Sequence, residues 1–176
     1  MNRLNQILRE ALDEVEIYNS WISSYYIIKS LENNIEKLCK EPAITYDITI
    51  DSLILLTIHL YGEIDKTRLF VTSFILYDHL SKIYKIQDPI FTIRWHKRHF
   101  IYSPRIDSHL AFLLKRGLVI EKGRYYYYLN PLGESEAINV YNLIKNRKSI
   151  EDIIYDVKKL KKIKDIKTYI RKYLIP

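Results

Sequence analysis

The sequence between residues 103 and 131 is SPRIDSHLAFLLKRGLVIEKGRYYYYLNP. Ser103 and Pro104 are typical of a helix start, because a serine oxygen accepts a free amide of the first turn and a proline there loses no hydrogen bond. The helix is predicted to run to Arg116 and to end at Gly117. Three segments follow it: a strand at 118–120, a turn at 121–124 and a returning strand at 125–129. This stretch therefore predicts a helix followed by a β-hairpin.

Two helices and a strand are predicted before this stretch. Residues 51–61 form a short buried helix that ends at Gly62, and Asp65 caps a second helix from Lys66 to about Tyr84. Residues 91–95 alternate in the manner of a short strand. Helix, helix, strand, helix and hairpin is the element order of a winged helix-turn-helix. The predicted fold is mainly α with a small β-hairpin, and its winged-helix domain spans residues 50–148.

A long N-terminal helix is predicted at 3–39, inside an N-terminal unit of residues 1–41, because no proline or glycine interrupts it. Its apolar residues recur at intervals of four and three, which is typical of a coiled-coil seam, and Glu14 falls on the polar side. The seam either pairs with a second copy of the chain or lies across the protein's own core. The residues predicted to pair in a homodimer are Leu8, Val15, Tyr18, Ile22 and Tyr25.

Positive charge is concentrated in two segments of a chain whose formal net charge is +7. Residues 94–124 hold 8 basic and 2 acidic residues, and residues 145–176 hold 11 and 4. The second segment includes a predicted basic helical extension at 149–176. Such asymmetry favours a polyanionic partner, double-stranded DNA first of all. The alternative interpretation is a lysine-rich surface that is simply solvated, as in proteins from hot habitats.

The helix at 104–116 is the predicted reader of the DNA major groove. With Ile106 and Leu110 facing the core, Arg105 and Ser108 are placed to reach base edges, with His109 beside them. The other predicted DNA contacts are with phosphate, since they lie late in the helix, at the hairpin tip or in a basic loop. These residues are Lys115, Arg116, Lys122, Arg124, Lys97 and Arg98.

Within residues 50–136 the chain resembles the YwgA/Panacea type of winged-helix domain. The matching segments are GEIDKTRLF at 62–70, YSP at 102–104, LLKRGLV at 113–119 and YLNPLG at 128–133. The family commonly has a glycine where this chain has Ser103. The resemblance implies either transcription regulation or an antitoxin-like adaptor role, and it leaves both extensions outside the match.

Several function classes are disfavoured by what the sequence lacks. A lone Cys39 forms neither an internal disulfide nor a thiolate metal site. No phosphate loop or nucleophile motif occurs, and two cations separate His96 from His99, so no enzyme activity, metal or cofactor is predicted. The longest apolar run, 53–60, is too short to cross a bilayer, so a cytoplasmic protein without a membrane partner is expected.

Three functions remain open at this point. The first is a dimeric DNA-binding transcription regulator. The second is a protein-interaction module of the same fold, whose basic face meets an acidic protein. The third is RNA binding through the lysine-rich C-terminal segment.

Overall fold

The computed structural model describes residues 2–32, 34–123 and 125–175. Within these ranges the chain forms nine helices and five short strands. The N-terminal helices are α1 (Arg3–Glu16), α2 (Trp21–Ser30) and α3 (Ile35–Lys40). The central elements are α4 (Ile50–Tyr61), β1 (Ile64–Asp65), α5 (Lys66–Leu80), β2 (Thr92–Ile93), β3 (Ile101–Tyr102), α6 (Pro104–Lys115), β4 (Val119–Lys122), β5 (Tyr126–Leu129) and α7 (Pro131–Leu143). The C-terminal helices are α8 (Arg147–Lys159) and α9 (Ile163–Leu174).

The fold is mainly helical with a small antiparallel sheet, which confirms the coarse prediction. The sheet has the strand order β1-β5-β4, and Ile64 of β1 pairs with Tyr127 of β5. The β4–β5 hairpin matches the hairpin predicted from the sequence. The sequence does not predict β1, because a strand of two residues has no detectable alternation. A second hairpin, β2–β3, lies between α5 and α6.

Helix α4 lies at the centre of the molecule, where it contacts α5, α6, α7 and α8. Leu53, Ile54 and Leu56 have no exposed surface, so the helix is apolar around its circumference. The core continues into the C-terminal helices, where Ile154 of α8 and Ile170 of α9 are buried. Helices α8 and α9 therefore contribute side chains to the core, and the predicted boundary at residue 149 falls inside α8. No helix in the described ranges is long and apolar enough to cross a membrane.

The prediction of one continuous helix at 3–39 is wrong. Helix α1 ends at Glu16, and Asn19 adopts a left-handed backbone conformation with φ of 52°. Asparagine tolerates this conformation better than most residues, and Ser20 then caps α2 by accepting the Ser23 amide. The chain reverses at this corner, so α2 packs back against α1. The heptad spacing of apolar residues therefore applies within α1 and within α2, but it does not continue from one helix to the other.

Candidate nucleic-acid interface

Helix α6 begins and packs as its sequence predicts. The Ser103 hydroxyl accepts the Ile106 amide at 3.0 Å, and Pro104 occupies the first turn. Ile106, Leu110 and Leu113 are buried in the core. The helix precedes the β4–β5 hairpin, as the sequence predicts.

Arg105 does not face solvent, so its predicted exposure is wrong. Its side chain is 2% exposed, and its Nε donates to Glu14 Oε1 at 2.6 Å. One terminal nitrogen donates to the Asp88 carbonyl at 2.6 Å, and the other lies 3.5 Å from Glu10. The guanidinium therefore has its hydrogen-bonding groups directed into the protein, where base edges cannot reach them.

His109 belongs to the same buried network, and its predicted exposure is wrong as well. Its Nδ1 lies 2.7 Å from Asp51 Oδ1 and its Nε2 lies 3.1 Å from Glu14 Oε1. The Tyr18 ring stacks on the imidazole with 3.7 Å between the ring centroids. Ser108, half-buried, donates to Glu14 at 3.2 Å. All three predicted base-contacting residues thus converge on one carboxylate.

Two pKa shifts in this network favour charged side chains. Burial alone would raise the pKa of Glu14, but the hydrogen bonds and charges of His109 and Arg105 outweigh burial, so this pKa is lowered. Burial alone would lower the pKa of His109, but Asp51 and Glu14 outweigh it, so this pKa is raised. Helix α1 is consequently held against α4 and α6 by a buried ionic cluster.

The turn between α1 and α2 is the physical reason why Arg105 and His109 are buried. It places Tyr18 against His109 and buries Ser23 of α2 close to Ser108, with 3.4 Å between the two hydroxyl oxygens. The sequence pattern places Glu14 on a solvated polar face, yet it is 1% exposed. Ala11 and Tyr18 lie at helical spacing from Glu14, and Ala11 is buried beside it.

The second half of α6 remains accessible. Lys115 and Arg116 are exposed, as predicted, and Phe112 contacts Tyr18 edge to face at 5.0 Å. A groove of about 500 Å³ separates the exposed side of α6 from the α1–α2 corner. Its apolar lining includes Ile17, Ile22 and Phe112.

The two basic segments meet around the β2–β3 hairpin. Lys167 of α9 donates to the carbonyl of Trp95 at 2.7 Å, and the Arg171 guanidinium lies 4.9 Å from the Trp95 ring centroid. Arg68 at the start of α5 donates to the carbonyls of Leu160 and Lys161 in the α8–α9 turn. Residues far apart in the sequence therefore form one cationic surface.

Two of the predicted phosphate-contacting residues lie in the β2–β3 loop, beside this surface. Lys97 and Arg98 are exposed in the β2–β3 loop, and Arg98 lies 5.2 Å from the Tyr125 ring centroid in the turn of the β4–β5 hairpin. Lys122 pairs with Glu63 at 3.0 Å, so its charge is partly neutralised. Arg124, also predicted at the hairpin tip, lies outside the described residues.

The residues predicted to pair in a dimer differ in how exposed they are. Leu8 is 40% exposed, and Ile22 and Tyr25 of α2 are 60% and 58% exposed. Val15 is half-buried, and Tyr18 is occupied by its stacking on His109. The exposed members face solvent on two different helices.

The histidines considered as metal ligands do not come together. His99 Nδ1 lies 2.9 Å from the Thr67 hydroxyl, whereas His109 lies within the Asp51–Glu14 network. Among the residues that the structure describes, no group of three or more histidine, cysteine, aspartate or glutamate side chains is arranged to hold a metal ion.

Comparisons with known proteins leave the family open. No protein family, curated protein or solved structure matches this chain. The resemblance to the YwgA/Panacea type of winged helix therefore stays a prediction from the sequence.

Proposed function

We propose that this protein is a winged-helix DNA-binding protein that acts as a dimeric transcription regulator. The observation that carries the proposal is the meeting of the two basic segments on one surface beside α6 and the β4–β5 hairpin. The order α4-β1-α5-β2-β3-α6-β4-β5, with β1 paired to β5, supports it because winged helices likewise place their third helix before a hairpin.

The proposed interface contacts the DNA backbone more than its bases. Lys97, Arg98, Lys115 and Arg116 are exposed, and in the described residues no carboxylate lies within 4.0 Å of their charged groups. Such cations bind phosphate without reading sequence. Base reading by Arg105 would require α1 and α2 to move off α6, so sequence preference depends on the exposed side of the helix around Lys115.

The exposed lysines of the α8–α9 turn should supply affinity without specificity. We expect replacement of Lys161, Lys162 and Lys164 by Gln to weaken all duplexes alike. The slope of log affinity against log salt should flatten by about 0.9 for each phosphate that the variant no longer neutralises. The measurement is a titration of labelled duplexes at several salt concentrations.

The matched control is the triple replacement of Lys29, Lys37 and Lys40 by Gln, which removes the same charge from α2 and α3. Its salt slope should equal that of the unmodified protein. Equal slopes for both triple variants would assign the turn lysines to a solvated face and contradict their role in binding.

Self-association through the N-terminal helices is part of the proposal. Trp21, Ile22, Tyr25 and Ile28 are exposed on α2 at intervals that place them along one side of the helix. We expect light scattering at tens of micromolar to give the mass of a dimer. Ile22→Lys should give a monomer, because it places a charge in the proposed interface, whereas Lys40→Gln on α3 should leave the dimer intact. A monomeric unmodified protein would contradict this prediction.

A protein-interaction module is the second candidate function. The groove beside α6 favours it, since apolar side chains line the groove and two of the predicted base-contacting residues, Arg105 and His109, are buried. This function predicts weak binding to every duplex and unchanged binding after Lys115→Ala. The salt titration therefore separates the two candidates.

A further inference from the structure

A small cleft lies between the start of α5, the β2–β3 loop and the turn end of β5 in the β4–β5 hairpin. Its volume is about 240 Å³. The residues that line it and bear on its chemistry are Asp65, Lys66, Thr67, Arg98, His99 and Tyr125. Donor groups thus converge there from three separate parts of the chain.

The charges around the cleft leave one cation in excess. Asp65 is engaged by Arg68 at 2.5 Å and also accepts the amides of Thr67 and Arg68. Lys66 pairs with Asp107 of α6 at 2.5 Å. Arg98 has no carboxylate within 4.0 Å among the described residues and points across the Tyr125 ring. Because the first-turn amides of α5 are occupied, any attraction for anions comes from the side chains.

We propose that this cleft binds one backbone phosphate of duplex DNA, with the Arg98 guanidinium and the protonated His99 imidazole as the contacting groups. His99 Nδ1 lies 2.9 Å from the Thr67 hydroxyl, which orients the ring, so the imidazole donates to the phosphate through Nε2. The inference rests on the proposed DNA-binding function and adds a defined phosphate site to it. An arginine beside a protonated imidazole provides several donors in a small volume, which suits the oxygens of a single phosphate. Tyr125 forms the wall that holds the Arg98 guanidinium.

His99 makes the proposed site sensitive to pH. Burial lowers the pKa of His99, and the positive charges of Lys66 and Arg98 lower it further. Asp107 and Asp65 act in the opposite direction, but more weakly. A bound phosphate would offset the two cations and raise this pKa, so binding and proton uptake are coupled. Phosphate affinity should therefore increase as the pH falls from 8 to 6.

The test compares two neighbouring histidines and one arginine in duplex titrations. Arg98→Ala should lower duplex affinity about tenfold and flatten the salt slope by about 0.9, the values for one charge-assisted phosphate contact. The unmodified protein should bind up to about tenfold more tightly at pH 6 than at pH 8, since one pKa unit corresponds to a tenfold linkage. His99→Gln should remove this pH effect. His96→Gln, in the exposed part of the same loop, should retain it.

The outcomes separate failure of the site from failure of the function. If the duplex binds but Arg98→Ala and His99→Gln titrate like the unmodified protein, the phosphate site is wrong and the DNA-binding function stands. If no duplex binds, the function is wrong, and inorganic phosphate is then titrated while the His99 imidazole is followed by NMR. A rise in the pKa of His99 that is absent in Arg98→Ala would show that the cleft takes free phosphate and not a DNA backbone. No change would overturn the site altogether.

Discussion

Arg105→Ala is expected to lower the free energy of unfolding by about 3–5 kcal/mol, which is the usual cost of removing one partner from a buried ion pair. The substitution removes the cation nearest to the Glu14 carboxylate, which is 1% exposed. His109 alone then compensates that charge. Urea denaturation followed by circular dichroism measures the effect.

Arg116→Ala is the matched control, because it removes the same side chain from the exposed end of α6. Its effect on stability should stay within about 0.5 kcal/mol. Glu14→Gln combined with Arg105→Ala should cost less than the sum of the two single substitutions, because both remove the same interaction. A decrease below about 1 kcal/mol for Arg105→Ala would contradict the buried network.

Gly133→Ala is expected to destabilise the protein by about 3 kcal/mol, at the upper end of the cost of overpacking. A methyl group at Gly133 would lie 2.2 Å from the carbonyl oxygen of Leu118, where α7 approaches the start of β4. That oxygen also accepts the Asn130 amide at 3.1 Å, so the Leu118 carbonyl cannot move away from the new methyl group without losing this hydrogen bond. In an open helix the same change would be stabilising by about 1 kcal/mol, so the sign of the effect is itself diagnostic.

Ser135→Ala, at an exposed position of the same helix, serves as the control for Gly133→Ala. It should alter the free energy of unfolding by less than about 0.5 kcal/mol. Thermal melts of both variants give the comparison. If Gly133→Ala matched Ser135→Ala, the close approach of α7 to β4 would be incorrect.

The sequence predicts the central elements well because their signals are local. Asp65, Ser103 and Asn130 cap α5, α6 and α7 as expected, and Gly62 ends α4. Each of these caps depends on hydrogen bonds between residues at most four positions apart, so the residue types next to each other in the sequence are enough to predict it. The hairpin after α6 is likewise set by a turn of a few residues.

The burial of the α6 residues could not be predicted, because its cause lies elsewhere in the chain. Glu14 and Arg105 are 91 residues apart, and neither residue type signals burial unless its partner is known. The reversal at Asn19 does have a local signal, because asparagine is a common residue just past a helix end and Ser20 is a common helix cap, but the apolar spacing that continues through residues 15–25 outweighs it. The packing of α9 on the β2–β3 loop also joins segments that share no local pattern.

The ionic attachment of α1 has a consequence for the order of folding events. Forming the Glu14–Arg105 contact closes a chain segment of 91 residues, so its entropic cost is met only after α4, α5 and α6 have assembled. The α1–α2 pair should therefore behave as a separate foldon that opens before the central helices unfold. In native-state hydrogen exchange, amides of α1 and α2 should lose protection at lower denaturant concentrations than those of α4. Each such opening would briefly expose Arg105, Ser108 and His109 to solvent.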